Sequence, residues 1–314
     1  MSMRLKEHLH NIKKKITHPE RTVYNICMYD RHQFAPLFSD KFYLKCIYKK
    51  HLHKKLNLRY PTTFNEKLQW LKLYDRNPLY TQMADKAEMK QYVSQIIGDE
   101  HIIKTLGVYN SVDEVPFESL PDKFVIKCTH DSGSTYICKA KDTFDFQKAK
   151  DELSIRLKKN YYWEGREWPY KNIKPRIIVE EFLIDDERDF PLDYKFFCFN
   201  GKMKFFKVDF NRFTNHRANY YNKELVLQPF GEKYLPPDEY IYFKEPKDFK
   251  IMINIVERLA KGIPFVRVDL YYVNDRIYVG ELTFFPAGGV GTLTGDGDEI
   301  MGKLIVLPEK TRRG

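Results

Sequence analysis

The stretch that decides the fold is VRVDLYYVNDRIYVGELTF, residues 266–284. It alternates as two β-strands around a short polar loop near Asn274, and it places Asp269 and Glu281 among hydrophobic residues. Because loop length sets the register of a hairpin, a three-residue loop puts Asp269 directly opposite Glu281. A two-residue loop would pair Asp269 with Gly280 and turn Glu281 to the other face. The sequence therefore predicts facing carboxylates in the three-residue register.

Two facing carboxylates at this spacing need a positive partner. Opposed side chains start about 5 Å apart at Cβ, and bare carboxylates at that range repel by about 4 kcal/mol at an effective dielectric of about 20. Magnesium in phosphate-transfer sites is usually held by one or two carboxylates and the nucleotide phosphates. Arg267 and Thr283 are expected on the same face, so Asp269, Glu281 and Thr283 are candidate metal ligands. In the alternative interpretation, one acid pairs with Arg267 or Arg276, or stays protonated with a raised pKa.

Composition excludes several classes of protein. The 314 residues suffice for one large or two ordinary domains. No apolar run is long enough for a membrane span, and the first residues lack the hydrophobic stretch of a secretory signal, so we expect a cytoplasmic protein. Five scattered cysteines without C-x-x-C spacing indicate neither a disulfide framework nor a structural zinc site.

The net charge of +10 is concentrated at one end of the chain. Residues 1–59 contain 14 Lys and Arg against 4 Asp and Glu, and the remaining residues are balanced. Such a segment is typical of a surface for an anionic partner, such as acidic lipid headgroups on the inner face of a membrane, a polyanionic glycan or a lipid-linked diphosphate. A solvated helical face is at least as good an interpretation. No motif for reading nucleic acid accompanies the segment.

Helical patterns dominate the first hundred residues. Apolar residues recur at helical spacing over 40–57, and a capping-box pattern beginning at Thr63 predicts a helix to about Tyr74. Asp85 can cap a further helix, which stops at Gly98.

From about residue 101 the pattern changes to short β-like runs separated by turn signals. A helical stretch is expected at 145–160, and no regular βαβ spacing is present, which favours an α+β architecture over a doubly wound sheet. The other predicted strands are HIIKTLGVY from residue 101, KFVIKCTH from 123, TYICKA from 135, PRIIVEEFLI from 175 and DYKFFCFNGKMKFFKVDF from 193.

Several of these strands carry residues suited to binding a nucleotide. Lys127 lies on a strand that leads into the small-residue loop HDSGS, whose backbone N–H groups and hydroxyls can bind phosphate oxygens. Glu180 and Glu181 end an apolar strand, where an acceptor and a backbone segment could contact an adenine edge. Lys195 lies on a hydrophobic strand and should point at an anion. Each feature also has a plain structural interpretation, as a strand lysine before a turn or as a strand end that reaches solvent.

Other familiar motifs are absent or weak. GDEIMGKL, from Gly297, resembles a P-loop but lacks the Ser or Thr that holds magnesium. The acidic residues Asp296 and Asp298 could coordinate the metal of a nucleotide-sugar glycosyltransferase, although such acidic turns are common.

Taken in order, these parts resemble the ATP-grasp enzymes and, more narrowly, the TupA-like ATP-grasp family, which is associated with teichuronopeptide and surface polysaccharide production. The likeness covers about residues 55–305 and rests on PTTFNEKLQWLKLYDRNPL, LPDKFVIKCTHDSGS, PRIIVEEFL, DYKFFCFNGK and FVRVDLYYVNDRIYVGELTFFPAGG. It implies an ATP-grasp fold in which two α+β lobes clamp ATP. The implied organisation is a helical region at 1–84, basic to residue 59, a small lobe at 85–183, a C-terminal lobe with the metal site at 184–308, and a tail at 309–314.

The resemblance also implies roles for single residues. Lys86 and Lys127 would contact the nucleotide phosphates, and Lys195 and Arg267 would neutralise phosphate charge during catalysis. Other implied contacts to ATP are His130, Ser132, Gly133, Ser134, Glu180, Glu181, Phe182, Leu183 and Asp193, and substrate contacts are Arg212, His216, Arg217, Gly288 and Gly289.

The same resemblance assigns Mg²⁺ to Asp269 and Glu281, with two departures from the family pattern. Thr283 stands where ATP-grasp ligases usually have Asn, which implies weaker binding of a second magnesium. Asp131 stands where a more glycine-rich loop is usual, which puts close backbone contact with phosphate in doubt.

The implied function is an ATP- and Mg²⁺-dependent carboxylate-amine ligase that proceeds through an acyl phosphate. Its partners would be a carboxylate-bearing glycan or nucleotide sugar, and an amino acid or amine that is joined to a uronic-acid carboxylate in capsular or cell-wall polysaccharide synthesis. The alternatives are a metal-dependent glycosyltransferase, or a non-catalytic adaptor that docks on acidic membrane through residues 1–59.

Overall fold

The computed structural model describes residues 19, 20, 23, 35–186, 191–210, 216–241 and 243–309. Most of the basic segment 1–59, to which an anionic partner is assigned above, therefore lies outside the described residues. Among the described residues, no helix has the length and apolar character needed to cross a membrane.

Within the continuously described stretch from residue 35, four α-helices precede the first strand: α1 (Asp40–Leu52), α2 (Phe64–Tyr74), α3 (Leu79–Ala84) and α4 (Glu88–Ile97). The capping box predicted for α2 is present, because the Thr63 side chain accepts from the N–H of Glu66 while the Glu66 carboxylate accepts from the N–H of Thr63. Helix α1 is shorter than the predicted 40–57, since His53 adopts a left-handed conformation with φ of 57° that ends it.

The N-cap of α4 is Ala87 and not Asp85, but Asp85 Oδ1 accepts from the N–H groups of Ala87 and Glu88 at 2.8 and 3.3 Å and so binds the start of the helix. The remaining helices are α5 (Phe146–Leu157), α6 (Tyr162–Gly165), α7 (Phe249–Leu259) and α8 (Gly297–Leu304). The predicted helical stretch at 145–160 corresponds to α5, whereas α3, α6, α7 and α8 were not predicted.

The smaller sheet has four antiparallel strands in the order β1-β4-β2-β3. Helix α5 packs on it, and together they enclose a separate hydrophobic cluster that includes Phe124, Leu153 and Val179. The strands are β1 (Thr105–Tyr109), β2 (Phe124–Cys128), β3 (Tyr136–Cys138) and β4 (Ile177–Glu181).

The larger sheet has five antiparallel strands in the order β7-β6-β5-β8-β9. Helix α7 covers one face, where the Phe249 ring lies 6.1 Å from Phe196 and 5.0 Å from Phe206. Helix α2 packs at one end of the other face, with Phe64 4.9 Å from Phe265. The strands are β5 (Leu192–Phe199), β6 (Lys202–Phe210), β7 (Arg217–Asn222), β8 (Phe265–Val273) and β9 (Arg276–Thr283).

Helices and antiparallel sheets confirm the predicted α+β class. The two sheets fall within the ranges 85–183 and 184–308 that were predicted as lobes. Buried residues of α1 and α2, such as Leu44 and Leu68, belong to the core of the larger sheet, so the helical region has no separate core among the described residues.

Candidate functional site

The hairpin β8–β9 brings Asp269 opposite Glu281, but its turn differs in length from the predicted one. Its loop is a two-residue turn, because Val273 pairs with Arg276 and both loop residues have positive φ, as a type I′ turn requires. A β-bulge between Leu270 and Asp269 then restores the pairing. The predicted three-residue loop is therefore wrong, whereas the facing carboxylates that it was meant to explain are present.

The pair belongs to a charged row that crosses four strands of the larger sheet. Lys207 of β6 pairs with Lys195 of β5, Lys195 pairs with Asp269 of β8, and Asp269 pairs with Glu281 of β9. Directly opposed residues in a sheet share a face, so these four side chains leave the sheet on the side opposite α7. We call this side the charged face and define it by Asp193, Lys195, Lys207, Asp209, Arg267, Asp269 and Glu281.

Arg267 holds the two facing acids together. Its Nε and one terminal nitrogen donate to the two oxygens of Asp269 at 2.6 and 2.7 Å, and that terminal nitrogen also donates to Glu281 Oε1 at 3.0 Å and Thr283 Oγ1 at 3.1 Å. Burial alone would raise the pKa of Glu281, but Arg267 and Lys86 lower it to about 2. Glu281 is therefore ionised at neutral pH, and an ion pair with Arg267, the alternative raised for this site, is present.

The donor chemistry of this site fits Mg²⁺. Asp269, Glu281 and Thr283 offer hard oxygen donors, and the Glu281 side chain is 38% exposed, so it is accessible to a ligand from solvent. Among the described residues there is no group of three or more His, Cys, Asp or Glu side chains that could hold a metal alone. A magnesium ion here would need ligands from a bound molecule as well, which is the usual situation for magnesium bound with nucleotide phosphates.

Ion pairs connect the other members of the charged face. Lys195 Nζ contacts Asp193 and lies 2.9 Å from Asp209 Oδ2. Lys207 Nζ lies 3.4 Å from Asp209 Oδ1 and 2.9 Å from Glu232 Oε1. Burial alone would raise the pKa of Asp209, but the two lysines lower it well below its usual range. Lys207, Asp209 and Glu232 were not singled out from the sequence.

A second charged group combines Lys127 and Glu180 of the smaller sheet with Lys86, just before α4, and Lys90 within α4; we call these four residues the lysine cluster. Lys127 Nζ lies 2.5 Å and Lys90 Nζ 2.7 Å from the Glu180 carboxylate oxygens. Burial would raise the pKa of Glu180, but Lys127 and Lys90 together lower it. Two lysines thus share one carboxylate, and with Lys86 the cluster has three lysines and one acid, an excess of positive charge.

Lys86 connects the lysine cluster to the charged face. Its backbone N–H donates to Thr129 O at 3.0 Å, and its ammonium group donates to Asp131 O. Burial lowers the pKa of Lys86, while Glu281 and Asp131 raise it. Glu281 thus acts on Lys86, so the lysine cluster and the charged face lie near each other at these two residues.

The loop 130–134, predicted to close over phosphate, is anchored by its own side chains. Ser134 Oγ donates to Asp131 Oδ1 at 2.5 Å, and Arg156 donates to Asp131 Oδ2 at 3.2 Å and to Ser132 O at 3.0 Å. His130 Nε2 lies 3.2 Å from the carbonyl oxygens of Arg156 and Lys159. Asp131, the departure from the family pattern, is buried and stabilises the loop, while Ser132 and Gly133 stay exposed.

The residues predicted to face adenine lie at the end of β4. Glu180 is buried among the lysines, whereas Glu181 is exposed and its N–H donates to Lys104 O at 3.0 Å. Phe182 and Leu183 follow the strand and are half-buried. Their assignment to adenine stays a prediction.

The structure brings together only some of the predicted substrate residues. His216 Nε2 lies 3.0 Å from Asp209 Oδ1 and so adjoins the charged face. Arg217 pairs with Phe210, and this register places it on the face covered by α7, away from the carboxylates. Arg212 lies outside the described residues.

Gly288 and Gly289 form a left-handed turn beyond β9, with φ of 60° and 63°. Gln69 Nε2 donates to Gly288 O at 3.1 Å and Gly289 O at 2.6 Å, and Lys72 Nζ donates to Gly288 O at 2.7 Å. Side chains of α2 therefore hold this turn. No sequence signal marked Gln69 or Lys72, because the periodicity of α2 assigns them to the helix without showing what they contact.

Asp298, proposed above as a ligand in a glycosyltransferase, has a structural role. Its Oδ1 accepts from the backbone N–H and the side-chain amide of Asn65 at 2.8 and 3.0 Å. The stretch GDEIMGKL forms helix α8.

Comparison with known proteins identifies the family of the chain. The TupA-like ATPgrasp family model matches residues 66–306. No curated protein sequence matches the chain.

Distant resemblance to solved structures is also found. D-alanine–D-alanine ligase from Bacillus anthracis is 12% identical, with 71% of this chain and 59% of that chain aligned at a TM-score of 0.36. The ligase of the same name from Helicobacter pylori is 10% identical, with 80% and 68% aligned at a TM-score of 0.45. The ATP-grasp ligase PsnB, complexed with minimal precursor, is 11% identical, with 67% and 55% aligned at a TM-score of 0.37.

The chain thus spans less than two thirds of the length of the B. anthracis ligase and PsnB. These matches are too distant to transfer residue roles. The family match is decisive by itself, since it covers most of the chain, including the lysine cluster and the charged face.

The two antiparallel sheets are thus those of an ATP-grasp protein, and the predicted fold is confirmed. Within that class, the chain belongs to the TupA-like ATP-grasp family, as its motifs indicated.

Proposed function

We propose that this protein is an ATP-dependent carboxylate-amine ligase. The observation that carries the proposal is the division of charge across one cleft in a member of the ATP-grasp family. Excess positive charge lies on the smaller sheet, where Lys127 and Lys90 share Glu180. Facing acids lie on the larger sheet at Asp269 and Glu281. A nucleotide triphosphate with a divalent cation complements both halves of this arrangement.

In this proposal the lobes 85–183 and 184–308 clamp ATP. Lys86 and Lys127 bind the phosphates, the 130–134 loop covers them, and the strand end from Glu180 to Leu183 contacts adenine. Asp193 lies toward the ribose. Lys195 and Arg267 offset the negative charge that develops during transfer, which requires no nucleophilic side chain.

Asp269 and Glu281 would hold Mg²⁺, with Thr283 beside them. When bound, the ion supplies Lewis acidity and neutralises phosphate charge. For the acids to bind it, Arg267 must release some of its contacts to Asp269 and Glu281 and become available to phosphate oxygens.

The proposed reaction has two steps. An oxygen of the substrate carboxylate forms a bond to the γ-phosphorus of ATP, and ADP leaves, giving an acyl phosphate. The nitrogen of the neutral amine then bonds to the acyl carbon and the C–O bond to phosphate breaks. The nitrogen loses one proton, which leaves with inorganic phosphate, and an amide remains. The charged groups near the γ-phosphate supply electrostatic stabilisation, which is usually the largest contribution to such catalysis.

For the carboxylate we propose a uronic acid of a capsular or cell-wall glycan, free or as a nucleotide sugar. The support is the family's association with surface polysaccharide and the basic segment 1–59, whose charge suits a polyanionic glycan or an acidic membrane surface. His216, together with the Gly288–Gly289 turn, is the best placed of the predicted substrate residues.

The test is to incubate the chain with ATP, Mg²⁺, a glucuronate-bearing acceptor and each of the twenty amino acids. We expect ADP release that depends on both the acceptor and the amine, with an amide product of matching mass. ADP release that needs no carboxylate, or none with any pair of glucuronate acceptor and amino acid, would count against the proposal.

A further inference from the structure

The outer side of helix α1 is exposed and positively charged. The inner side of the helix, which includes Leu44, is buried in the core of the larger sheet. On the outer side four positions are exposed, and each lies three or four residues from another, so their side chains are neighbours on the helix surface. We call this side the basic face and define it by Lys41, Phe42, Lys45 and Lys49.

The charge of the basic face is almost unopposed. No carboxylate of the described residues lies within 4.0 Å of Lys41 or Lys45. Lys49 Nζ lies 3.5 Å from Glu20 Oε2, yet the lysine side chain remains 53% exposed. Asp40, at the start of the helix, turns inward and is only 19% exposed. Like charges four residues apart destabilise a helix, so a negatively charged partner would stabilise this one.

The positive charge continues beyond the end of the helix. Residues 53–60 add Lys54, Lys55 and Arg59, which are all exposed, and contain no acid. Over residues 37–60 the chain therefore has seven Lys and Arg against one acid. The helix and the segment after it form one strongly basic stretch.

Large apolar side chains are exposed beside these cations. Phe42 is 46% exposed and stacks on Phe38, with ring centroids 5.9 Å apart. Leu37, in the short turn before the helix, is 75% exposed. Lysines together with exposed Phe and Leu side chains are the combination that protein segments use at a membrane interface.

Helix α7 exposes similar side chains without the excess charge. Lys250 is exposed there, and Ile251 beside it is 52% exposed. The helix has two basic residues and one acid, so its charge is nearly balanced. A single exposed hydrophobic residue is ordinary. The basic face differs because exposed apolar groups and unopposed positive charge occur together.

We propose that the basic face docks on a bilayer that contains anionic lipids. Its lysines would meet the acidic headgroups, while Leu37 and Phe42 would enter the boundary between headgroups and acyl chains. A soluble polyanionic glycan, the other partner considered above for this segment, offers negative charge but no apolar interior for Leu37. The exposed apolar side chains therefore favour the membrane over the glycan.

This inference goes beyond the proposed function and does not depend on it. The lysine cluster and the charged face contain none of these residues, so variants of the basic face should keep ADP release with soluble substrates. A wild type that releases no ADP contradicts the proposed function alone, whereas a wild type that binds no vesicles contradicts the docking alone. If both hold, docking places the enzyme beside acceptors that are carried on lipids.

Sedimentation with vesicles measures the docking. The full chain is mixed with vesicles of phosphatidylcholine alone, or of equal parts phosphatidylcholine and phosphatidylglycerol. We expect binding only when phosphatidylglycerol is present, and weaker binding at high salt, because salt screens exposed charges. Lys41→Gln and Lys45→Gln should each lower the partition constant about fivefold. Phe42→Ser should lower it about threefold or more, because less apolar area enters the bilayer.

Lys250→Gln and Ile251→Ser are the matched controls, because they remove the same kinds of side chain from an exposed helix with nearly balanced charge. Each should change the partition constant by less than about twofold. Equal binding to both kinds of vesicle, or equal losses from the variants of α1 and α7, would overturn the inference.

The depth of the apolar side chains is a second readout. Phe42→Trp adds a fluorophore whose emission, after subtraction of the wild-type signal, should be quenched by phosphatidylglycerol with brominated acyl chains. Ile251→Trp is the control and should show no such quenching. Equal quenching of the two variants, or none in Phe42→Trp, would overturn the inference.

Hyaluronate, a soluble polymer of a uronic acid and an amino sugar, tests the competing partner. We expect Phe42→Ser to weaken binding to vesicles without weakening any binding to hyaluronate. A wild type that binds hyaluronate but not the anionic vesicles would assign the basic face to a glycan and overturn the inference.

Thermal unfolding separates docking from a structural role. The substituted side chains are exposed, so the variants should melt at the wild-type temperature. A large drop in melting temperature in Lys41→Gln, Lys45→Gln and Phe42→Ser alike would show a structural role for the basic face and overturn the inference.

Discussion

The charged groups at the two sheets are unbalanced with opposite sign. At the smaller sheet, Lys90 and Lys127 share the single carboxylate of Glu180, and the nearby Lys86 donates to the carbonyl oxygen of Asp131. On the larger sheet, three cations face four acids, and Glu232 adds a fifth acid through Lys207. The lysine cluster thus has an excess of positive charge, and the charged face has an excess of negative charge. A ligand that carries both, such as a triphosphate with a divalent cation, satisfies the two sheets together.

The largest effect on stability is expected from a substitution of Glu180 in the lysine cluster. Glu180→Gln leaves Lys127 and Lys90 buried without their shared partner, and we expect the free energy of unfolding to fall by about 3 kcal/mol. Chemical denaturation monitored by circular dichroism measures the change. Glu181→Gln is the matched control, because this neighbouring side chain is exposed and should change stability by less than about 0.5 kcal/mol. Equal stability of the two variants would contradict a carboxylate shared by two buried lysines.

On the larger sheet the corresponding substitution is Asp269→Asn. It removes the carboxylate that binds Arg267 through both oxygens and that we assign to Mg²⁺. ADP release should fall on the order of 100-fold, in line with loss of a preorganised electrostatic group. Asp275→Asn, on the same hairpin but 62% exposed, should retain activity. If both variants were equally active, the assignment of the metal to the charged face would have to be abandoned.

The bulge that aligns the facing acids offers a test of geometry. A Cβ on Gly280 would lie 2.8 Å from a ring carbon of Tyr271, so Gly280→Ala should destabilise the fold by about 1 kcal/mol. Combined with Tyr271→Ala, the same substitution should cost less, because the ring that it meets is gone. Denaturation of the two single variants and the double variant measures this coupling, and strict additivity would argue against the contact.

The smallest effect is expected from the pH dependence of stability. The folded pKa of Glu281 is about 2, below its usual 4.5, so its ion pair stabilises the protein fully above about pH 4.5. This contribution is lost as the pH falls toward 2, since the unfolded state binds the proton first. The side chain is 38% exposed, so solvent screening keeps the effect small. Glu281→Gln should therefore show a shallower loss of stability than the wild type between pH 5 and 3, and parallel curves would rule out this contribution.

Local pattern predicted much of what was found. Three features follow from the order of residue types along a short stretch: the capping box of α2, the alternation of β5 and the facing pair Asp269–Glu281. The length of the turn in the β8–β9 hairpin could not be predicted, because the bulge at Gly280 corrects the register several residues away.

Contacts between distant segments lay beyond the sequence. Lys207 reaches Glu232 only because β6 pairs with β5 and the loop after β7 folds back. Arg217 was expected near the substrate, yet its register with Phe210 places it on the α7 face.

The central claim is that the lysine cluster and the charged face bind the same nucleotide. It is tested most directly by calorimetric titration of a non-hydrolysable ATP analogue, with and without Mg²⁺, into the wild type, Lys127→Ala and Asp269→Asn. We expect Lys127→Ala to weaken binding about tenfold in both conditions, and Asp269→Asn to weaken it by a similar factor only when Mg²⁺ is present. Binding that is unchanged in either variant with Mg²⁺ present would contradict the claim that both sheets bind the same ligand.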